Sequence, residues 1–392
     1  MKKILILGAG IYQVPLILRA KQRGFYTIVT SIPGSYPGFN ISDKAYYADT
    51  TDSEAILNIA FTENIDGIVT CGTDVAVRSI GVVCEKLGLP GITSTSAMLS
   101  TDKALMKKAF LDSNVRTAPF YCVHNIKEAI NSCNNLGLPV VFKCVDRSGS
   151  KGIQKVFTKS QINSAFKYAF SVTRSDYILI EKLLSGKEYG CDGYVSATGK
   201  LFAIPHGRLS VSNGLTDIPV GHYLPLECDS EVLSDIIKQV SFGVNALGLR
   251  QSFFNADIMI CNRNAYIIEM GARCGATCIP ELISSYYGYN YYDKILDAAL
   301  GVEPDFTPYH KRPSAAKLLF SEKSGIVKTI YKENMDSFGI TDWSFDISPG
   351  DSVKKFMSGT DRIGQVVSAA NCVEDAVNAV DAASKCINIE FV

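Results

Sequence analysis

Residues 253–276, FFNADIMICNRNAYIIEMGARCGA, contain two apolar strand-like segments, and each segment carries one acid. A hairpin turning at residues 262–264 sets position 261 opposite 265 and, further along the ladder, Asp257 opposite Glu269. Like charges that face each other across a ladder are destabilising, and a bound divalent cation would compensate. A surface hairpin with solvated acids is the alternative, but DIMIC and AYIIEM are too apolar for a fully exposed ribbon. The segment therefore predicts a metal site on a β-hairpin.

Composition limits the classes of protein to consider. The chain has 392 residues, of which 47% are hydrophobic, so we expect a globular protein with two to four domains. Lys plus Arg and Asp plus Glu both total 39, which leaves no net charge to attract nucleic acid or an anionic membrane. No apolar run in the sequence reaches the roughly 20 residues of a membrane span. We expect a soluble, cytoplasmic protein without nucleic-acid or membrane partners.

The twelve cysteines are scattered, many of them within apolar runs, as is typical of reduced cytosolic thiols. Cys274 and Cys278 lie close together, but their spacing and the four dispersed histidines do not match a zinc site. Any metal is therefore expected to be a hard ion bound by oxygen.

The first 115 residues alternate between strand-like and helix-like segments, which predicts βαβ units on a parallel sheet. Gly8 and Gly10 follow the first strand as in a dinucleotide-binding loop, but Gln13 occupies the position of the third glycine. No acid ends the second strand clearly. A tight strand-to-helix turn is the simpler interpretation, and a smaller anion on the helix N-terminus is intermediate.

The segment LPVVFKCVDRSGSKGI, residues 138–153, carries the second signal. Lys143 interrupts an apolar strand, so its ammonium should lie at an edge or meet an anion. The strand leads into a small-residue turn, Ser148 to Gly152, whose amides and Lys151 suit a polyphosphate. A solvated hairpin is the alternative interpretation.

The segment YILIEKLLSGKEYGCDGYV, residues 177–195, carries the third signal. A strand ends at Glu181, a short hinge follows, and Glu188 lies just beyond a glycine turn. Hinge amides among apolar residues suit a flat heterocycle, and a nearby carboxylate suits a ribose diol.

The order of these signals resembles the ATP-grasp superfamily, in its biotin carboxylase and carbamoyl phosphate synthetase-like branch. It runs from Lys103 in STDKALMKKAF through Lys143, the glycine loop and EKLL to the paired acids and Arg273. The resemblance implies a mixed α/β and α+β protein. It would have a Rossmann-like pre-ATP-grasp domain at residues 1–115, lobes at 116–184 and 185–300, and a small α+β closing domain at 301–392.

The resemblance also implies roles for individual residues. Lys103 and Lys143 look like the lysines that contact ATP phosphates, and Ser148, Gly149, Ser150, Lys151 and Gly152 like the loop over the β- and γ-phosphates. Glu181, Lys182 and Leu184 resemble the adenine hinge, the last two through backbone groups, and Glu188 the ribose ligand. Asp257 and Glu269 match the magnesium ligands, and Arg273 matches the arginine that steadies an acyl phosphate. The implied catalytic set is Arg273, Lys143 and Lys151, with ATP and Mg²⁺, or alternatively Mn²⁺.

Gly271 departs from the pattern, because the family often has Asn two residues after the second acid. Water, phosphate or a bidentate Glu269 would then have to complete the coordination shell.

The predicted activity is ATP-dependent ligation of a carboxylate to an amine or other nitrogen nucleophile through an acyl phosphate, with release of ADP and phosphate. The alternatives are a purine-pathway ligase or a carboxylase of the same superfamily, a non-catalytic ATP-binding protein with a degenerate metal site, and a nicotinamide-dependent oxidoreductase. Candidate contacts to the small-molecule substrates are Gly10, Thr73, Asp74, His206, Arg208 and Arg273. A homodimer is compatible with the resemblance.

Overall fold

The structure is a computed structural model that describes residues 1–146, 152–212, 217–332 and 339–392. Its helices, α1 to α12, span Val14–Gln22, Pro37–Ile41, Ser53–Glu63, Val77–Leu87, Ser94–Leu99, Lys103–Asp112, Ile126–Leu136, Ile162–Val172, Ser230–Ala246, Ile279–Tyr287, Tyr291–Ala299 and Val373–Lys385. Its strands, β1 to β19, span Lys3–Leu7, Tyr26–Ser31, Lys44–Tyr47, Gly67–Val69, Phe120–Val123, Val140–Lys143, Ile153–Val156, Ile178–Lys182, Lys187–Val195, Leu201–Ser212, Asp217–Leu224, Ser252–Cys261, Asn264–Gly271, Ser314–Phe320, Gly325–Lys332, Ile340–Phe345, Ser352–Val353, Arg362–Ala369 and Ile387–Phe391. The predicted mixed α/β fold class is confirmed.

The chain divides into two compact units. The first contains residues 1–204, 228–274 and 295–304, and the second contains residues 205–227, 275–294 and 305–392. The four domain boundaries expected from the sequence are a different division, and they stay a prediction. Among the described residues, no helix combines the length and the apolarity needed to cross a membrane.

The N-terminal sheet of the first unit has strand order β3-β2-β1-β4, and its strands are parallel. Ile4 to Leu7 of β1 are fully buried, since a parallel sheet is covered on both faces. The alternation of strands and helices at the start of the sequence predicts this arrangement.

A second sheet of the first unit is antiparallel, with order β5-β8-β6-β7. It packs against α7 and α8 through a core that includes Phe142, Ile178 and Ile180. Lys143 ends β6, and Glu181 lies near the end of β8, where it pairs with Val141. Because side chains alternate between the two faces of a sheet, Lys143 and Glu181 share the face opposite to this core.

The opening hairpin is formed by β12 and β13, and β9 flanks β12 on its other side. Its turn has two residues, Asn262 and Arg263, both with positive φ (48° and 66°), as a type I′ turn requires. The predicted pairing of 261 with 265 is wrong by one residue, because Cys261 pairs with Asn264. An irregularity between Asp257 and Ile258 restores the register, and Asp257 pairs with Glu269 as predicted.

The second unit contains strands in the order β10-β11-β14-β18-β16, where β10 enters the unit at Pro205. A smaller sheet has the order β17-β15-β19. Helix α12, whose sequence VEDAVNAVDAASK has the apolar periodicity of an amphipathic helix, packs on this unit's core through Ala376, Val380 and Ala383.

The core beside Lys143 gives a test of the fold. Replacing the fully buried Phe142 with Ala should lower the free energy of unfolding by about 3 to 5 kcal/mol, because the substitution leaves a cavity. Phe157 is 58% exposed, and Phe157→Ala should change the free energy of unfolding by no more than about 0.5 kcal/mol. Urea unfolding followed by fluorescence and circular dichroism would measure both. Equal effects of the two substitutions would contradict the described packing.

Candidate active site

The two acids of the hairpin lie on one face of the first unit's sheet. Asp257, on the central strand of three, pairs with Glu269 on one side and with Gly190 on the other. Paired residues of an antiparallel ladder project to the same face, and so do residues two apart on one strand. Glu188, two residues before Gly190, therefore lies on the same face as the acids. The three predicted carboxylates are brought together as a polar stripe on rigid strands.

Lys103 supplies a positive charge beside this stripe. It is the first residue of α6, which begins where the carboxylate of Asp102 accepts hydrogen bonds from the amides of Ala104 and Leu105. Its Nζ lies 2.9 Å from Oε1 of Glu269. Burial opposes the charge on Lys103, but Glu269 and then Asp74 outweigh burial and raise the pKa of the ammonium. The lysine is therefore a permanent cation beside the paired acids.

Glu181 is at the centre of a second charged cluster, which is almost inaccessible to solvent. The Nζ atoms of Lys143 and Lys107 each lie 3.0 Å from the same carboxylate oxygen, Oε2. Burial alone would raise the pKa of Glu181, but Lys107 and Lys143 lower it, so the carboxylate is ionised. The other oxygen, Oε1, is buried and has no hydrogen-bond partner in the described part of the chain. That oxygen is therefore available to accept a hydrogen bond from a bound molecule.

The hinge after Glu181 is partly occupied by contacts within the protein. The side chain of Lys182 donates to the carbonyl oxygens of Gly137 and Leu138, and its amide donates to Pro119. A backbone contact from Lys182 to a ligand would therefore use its carbonyl oxygen. Leu184 follows in the segment between β8 and β9.

The glycine loop is only partly covered by the structure. Ser148, Gly149, Ser150 and Lys151 lie outside the described residues. Gly152 has φ +70°, which favours glycine, and its carbonyl oxygen accepts a hydrogen bond from the amide of Cys144. The role of the loop stays a prediction.

Arg273 is held by a chain of polar contacts across the first unit. Its guanidinium lies 2.9 Å from one oxygen of Asp74 and donates to the other at 3.0 Å. It also donates to the side-chain oxygen of Asn255, whose amide donates to the fully buried Asp192. Burial opposes the charge on Arg273, but Asp74 outweighs burial and raises its pKa. Arg273 is thus charged and fixed in place, and Asp74, a predicted substrate contact, lies beside it.

The departure at Gly271 has a structural reason. A Cβ atom on this glycine would lie 2.7 Å from Oδ1 of Asp74. The carboxylate of Asp74 therefore occupies the space that the family's asparagine side chain would need. The loop after β4, which carries Asp74, approaches the end of β13 so closely that only glycine fits at position 271. The absence of Asn at this position therefore goes together with the Asp74–Arg273 ion pair.

The glycine turn after β1 is filled by a side chain. Gln13 accepts a hydrogen bond from the amide of Gly10 at 3.0 Å and donates to the carbonyl oxygen of Cys71 at 2.5 Å. A Cβ atom on Gly8 would lie 2.8 Å from Oε1 of Gln13. Because the turn is closed around Gln13, its amides are not arranged for a pyrophosphate, and the tight-turn interpretation fits. A substrate contact by Gly10 stays a prediction and would require Gln13 to move.

Two further predicted substrate residues, His206 and Arg208, belong to the second unit. His206 is buried against His222, with ring centroids 4.7 Å apart, and Arg208 pairs with His222 across β10 and β11. Burial, and then His206 and Arg208, lower the pKa of His222 well below its usual value, so this imidazole is neutral. Thr73, the last of the predicted contacts, lies in the first unit beside Asp74.

The residues fit the magnesium ion that the family implies. Within the described residues, no group of three or more His, Cys, Asp or Glu residues could hold a metal. Two facing carboxylates are nevertheless what Mg²⁺ commonly takes from a protein, since substrate phosphates and water supply the other ligands. Asp257 and Glu269 would hold the ion.

Four residues of these clusters are not singled out by the sequence: Lys107, Asp192, His222 and Asn255. Lys107 lies one helical turn after Lys103, and this spacing on an apolar face is the signal that could have found it. Asp192 and Asn255 lie on strands at even spacing from Glu188 and Asp257, so period-two alternation could have found them. His222 carries no comparable signal.

Comparison with known proteins gives two family matches. The family described as ATP-grasp domain matches residues 136–281, and the family described as L-amino acid ligase C-terminal domain 2 matches residues 317–392. Formate-dependent phosphoribosylglycinamide formyltransferase of Herminiimonas arsenicoxydans is 24% identical over 397 residues, which cover 96% of this chain and 91% of that protein.

Solved structures match over the full length. Phosphoribosylglycinamide synthetase from Anaerococcus prevotii has a TM-score of 0.84 and 31% identity, and the match covers 100% of both chains. L-amino acid ligase from Bacillus licheniformis has a TM-score of 0.82 at 16% identity, covering 100% of this chain and 99% of that one. At 16% identity the second match shows the fold alone.

These matches define the class of the protein as an ATP-dependent ligase that forms C–N bonds and uses ATP and Mg²⁺. The chain belongs to the ATP-grasp superfamily. Its fold is the ATP-grasp fold.

The steric match between Gly271 and Asp74 can be tested by a double-mutant cycle. Gly271→Ala should lower kcat/KM about tenfold or more, because the new methyl group displaces the carboxylate that fixes Arg273. In an Asp74→Ala background the same substitution should have little further effect. Steady-state kinetics of the four proteins would measure the coupling. Additive effects of the two substitutions would show that the residues act independently.

Proposed function

We propose that this ligase joins a small carboxylate to an amine through an acyl phosphate, and that its reacting groups meet beside Asp257, Glu269 and Lys103. The observation that carries the proposal is the facing of Asp257 and Glu269 on adjacent strands, with Lys103 2.9 Å from Glu269. This arrangement suits a triphosphate and its cation, because it offers two oxygen ligands and one ammonium on rigid elements.

The nucleotide would lie between the two charged clusters of the first unit. Oε1 of Glu181 would accept a hydrogen bond from the exocyclic amine of adenine, and Lys182 and Leu184 would offer backbone groups to the ring. Glu188 would accept hydrogen bonds from the ribose hydroxyls. Lys103, Lys143, Lys151 and the loop of residues 148–152 would neutralise the phosphates.

The reaction would proceed in two displacements. A carboxylate oxygen of the acid substrate attacks the γ-phosphorus of ATP, ADP leaves, and an acyl phosphate forms. The amine nitrogen then attacks the acyl carbon, phosphate leaves, and the nitrogen loses a proton. Mg²⁺, when bound, supplies charge neutralisation for the transferring phosphoryl group.

Arg273 is the residue we assign to the acyl phosphate. Its guanidinium, fixed by Asp74 and Asn255, would donate to the oxygens that carry negative charge in both displacements. Asp74, beside Arg273, would contact the amine substrate, which must be unprotonated to attack the acyl carbon. Because positioning and electrostatics carry the reaction, no nucleophilic side chain is needed.

The names of the relatives favour two kinds of acid substrate. One relative is named for formate and for phosphoribosylglycinamide, and the structural match at 31% identity is also named for phosphoribosylglycinamide. The C-terminal match is to an L-amino acid ligase domain. We therefore propose formate or an amino acid as the carboxylate. The amine would be a phosphoribosyl amine in a purine-pathway reaction or an amino acid in a dipeptide-forming one.

The domain assignment and the remaining expectations are also proposals. Residues 1–115 would form the pre-ATP-grasp domain, 116–184 and 185–300 the lobes, and 301–392 the closing domain. His206 and Arg208 would contact substrate, and Mn²⁺ would be able to substitute for Mg²⁺. A homodimer and a cytoplasmic location stay predictions.

Phosphate release tests the proposed reaction. With ATP and Mg²⁺, a panel that pairs formate or amino acids with phosphoribosyl amines or amino acids should give at least one combination that releases phosphate and ADP in equal amounts. Glu269→Gln should lower kcat for that pair by about 100-fold or more, because it removes one charge of the metal site. The matched control is Glu231→Gln, whose carboxylate is 83% exposed and should leave turnover unchanged. Full turnover by Glu269→Gln would refute the assignment.

The dependence on magnesium tests the other acid separately. Asp257→Asn should raise the Mg²⁺ concentration for half-maximal velocity about tenfold or more, because an amide is a weaker ligand than a carboxylate. Asp112→Asn, at an exposed position of α6, should leave this Mg²⁺ concentration unchanged. A magnesium titration at saturating ATP would measure both. An unchanged requirement in Asp257→Asn would exclude Asp257 as a ligand.

A further inference from the structure

Lys107 is a buried ammonium that has no part in the reaction described above. It lies on α6 one turn after Lys103, and its side chain is 1% exposed. A lysine in that environment needs strong partners, because an unpaired buried charge is costly. Its neighbour Lys108 is exposed, so the helix directs one of two adjacent lysines into the protein.

The partners of Lys107 connect both ends of the nucleotide site. Its Nζ lies 3.0 Å from Oε2 of Glu181 and donates to the hydroxyl of Thr117 at 2.6 Å. The hydroxyl of Thr117 donates in turn to the carbonyl oxygen of Ile267 at 2.7 Å. Ile267 belongs to β13, the strand of Glu269. Lys107, through Thr117, therefore links the buried carboxylate of Glu181 to the strand that carries a proposed metal ligand.

The partners of Glu181 are distributed unevenly between its two carboxylate oxygens. Two ammonium groups, of Lys107 and Lys143, share the single oxygen Oε2, while Oε1 has no partner among the residues that the structure describes. One lysine would be enough to neutralise the carboxylate. The second holds the same oxygen from another direction, and two such contacts fix the orientation of the carboxylate group.

We propose that Lys107 is a positioning residue for the nucleotide base: with Lys143 it holds Oε2 of Glu181. The carboxylate then stays ionised, and its other oxygen, Oε1, is directed at an amino group of the base. The inference rests on the proposed function, in which Oε1 receives the exocyclic amine of adenine. A purine with a carbonyl oxygen at that place would face a carboxylate and be excluded. Lys107 would therefore support the selection of ATP over GTP without touching either nucleotide.

The proton on Lys107 should make this support dependent on pH. Burial lowers the pKa of Lys107 to about 8, and Lys143 adds to the lowering against the opposing effects of Glu181 and Glu269. Above that pH the lysine is neutral, and Oε2 loses one of its two charged partners. The KM for ATP should accordingly rise as the pH increases through about 8, with a smaller effect on kcat.

Three substitutions in the full-length enzyme test the inference. Lys107→Met should raise the KM for ATP about tenfold, reduce the preference for ATP over GTP by a similar factor, and remove the rise in KM above pH 8. Lys107→Arg keeps a charge at all these pH values, so it should retain the preference for ATP and also lose the pH dependence. Lys108→Met is the matched control and should behave like the native enzyme. The dissociation constant of a non-hydrolysable ATP analogue, measured by calorimetry, gives the same comparison without turnover.

The outcomes separate this inference from the proposed function. Native ATP affinity, nucleotide preference and pH profile in Lys107→Met would overturn the role of Lys107 and leave the ligase reaction standing. Binding of the ATP analogue without phosphate release from any substrate pair would refute the proposed reaction and leave the role of Lys107 testable. If Lys107→Met does not fold, the pH profiles of the native enzyme and of Lys107→Arg decide, and identical profiles would overturn the inference.

Discussion

The facing of Asp257 and Glu269 across one ladder is the constraint on which the rest of the site depends. Two carboxylates in register on adjacent strands repel each other, so the arrangement is stable only with positive charge nearby. Lys103 supplies part of that charge, and its own position follows from the cap that Asp102 makes at the start of α6. The helix, the hairpin and the cation that the acids would share form one electrostatic unit.

The same principle governs the other buried charges of the first unit. Glu181 is ionised because the effect of Lys107 and Lys143 on its pKa outweighs the effect of burial. Arg273 is charged because the effect of Asp74 outweighs the burial of the guanidinium. Each charge is placed on an ordered strand or helix, or beside one, and each is fixed by a partner from a distant part of the sequence. An apolar pair in these places would be as stable or more so, which favours a functional reason for the charges.

Local signals predict much of the fold and part of the site. The alternating segments of the N-terminal sheet, the helix at residues 373–385 and the pairing of Asp257 with Glu269 all follow from periodicity and turn chemistry. The turn itself is shorter by one residue than predicted, and a bulge compensates, because two left-handed residues at Asn262 and Arg263 suit the twist of the strands. Sequence spacing does not reveal such compensating irregularities, since they depend on how the strands pack.

What the sequence determined by itself is the chemistry available: which strands carry acids, which segments carry lysines, and the order in which they occur. What only the tertiary structure decided is which charges meet. Lys107 meets Glu181 across 74 residues, Asp74 meets Arg273 across 199, and the carboxylate of Asp74 occupies the space above Gly271. The physical reason is that periodicity and capping act within a few residues, whereas ion pairs between distant segments depend on the packing of separate elements.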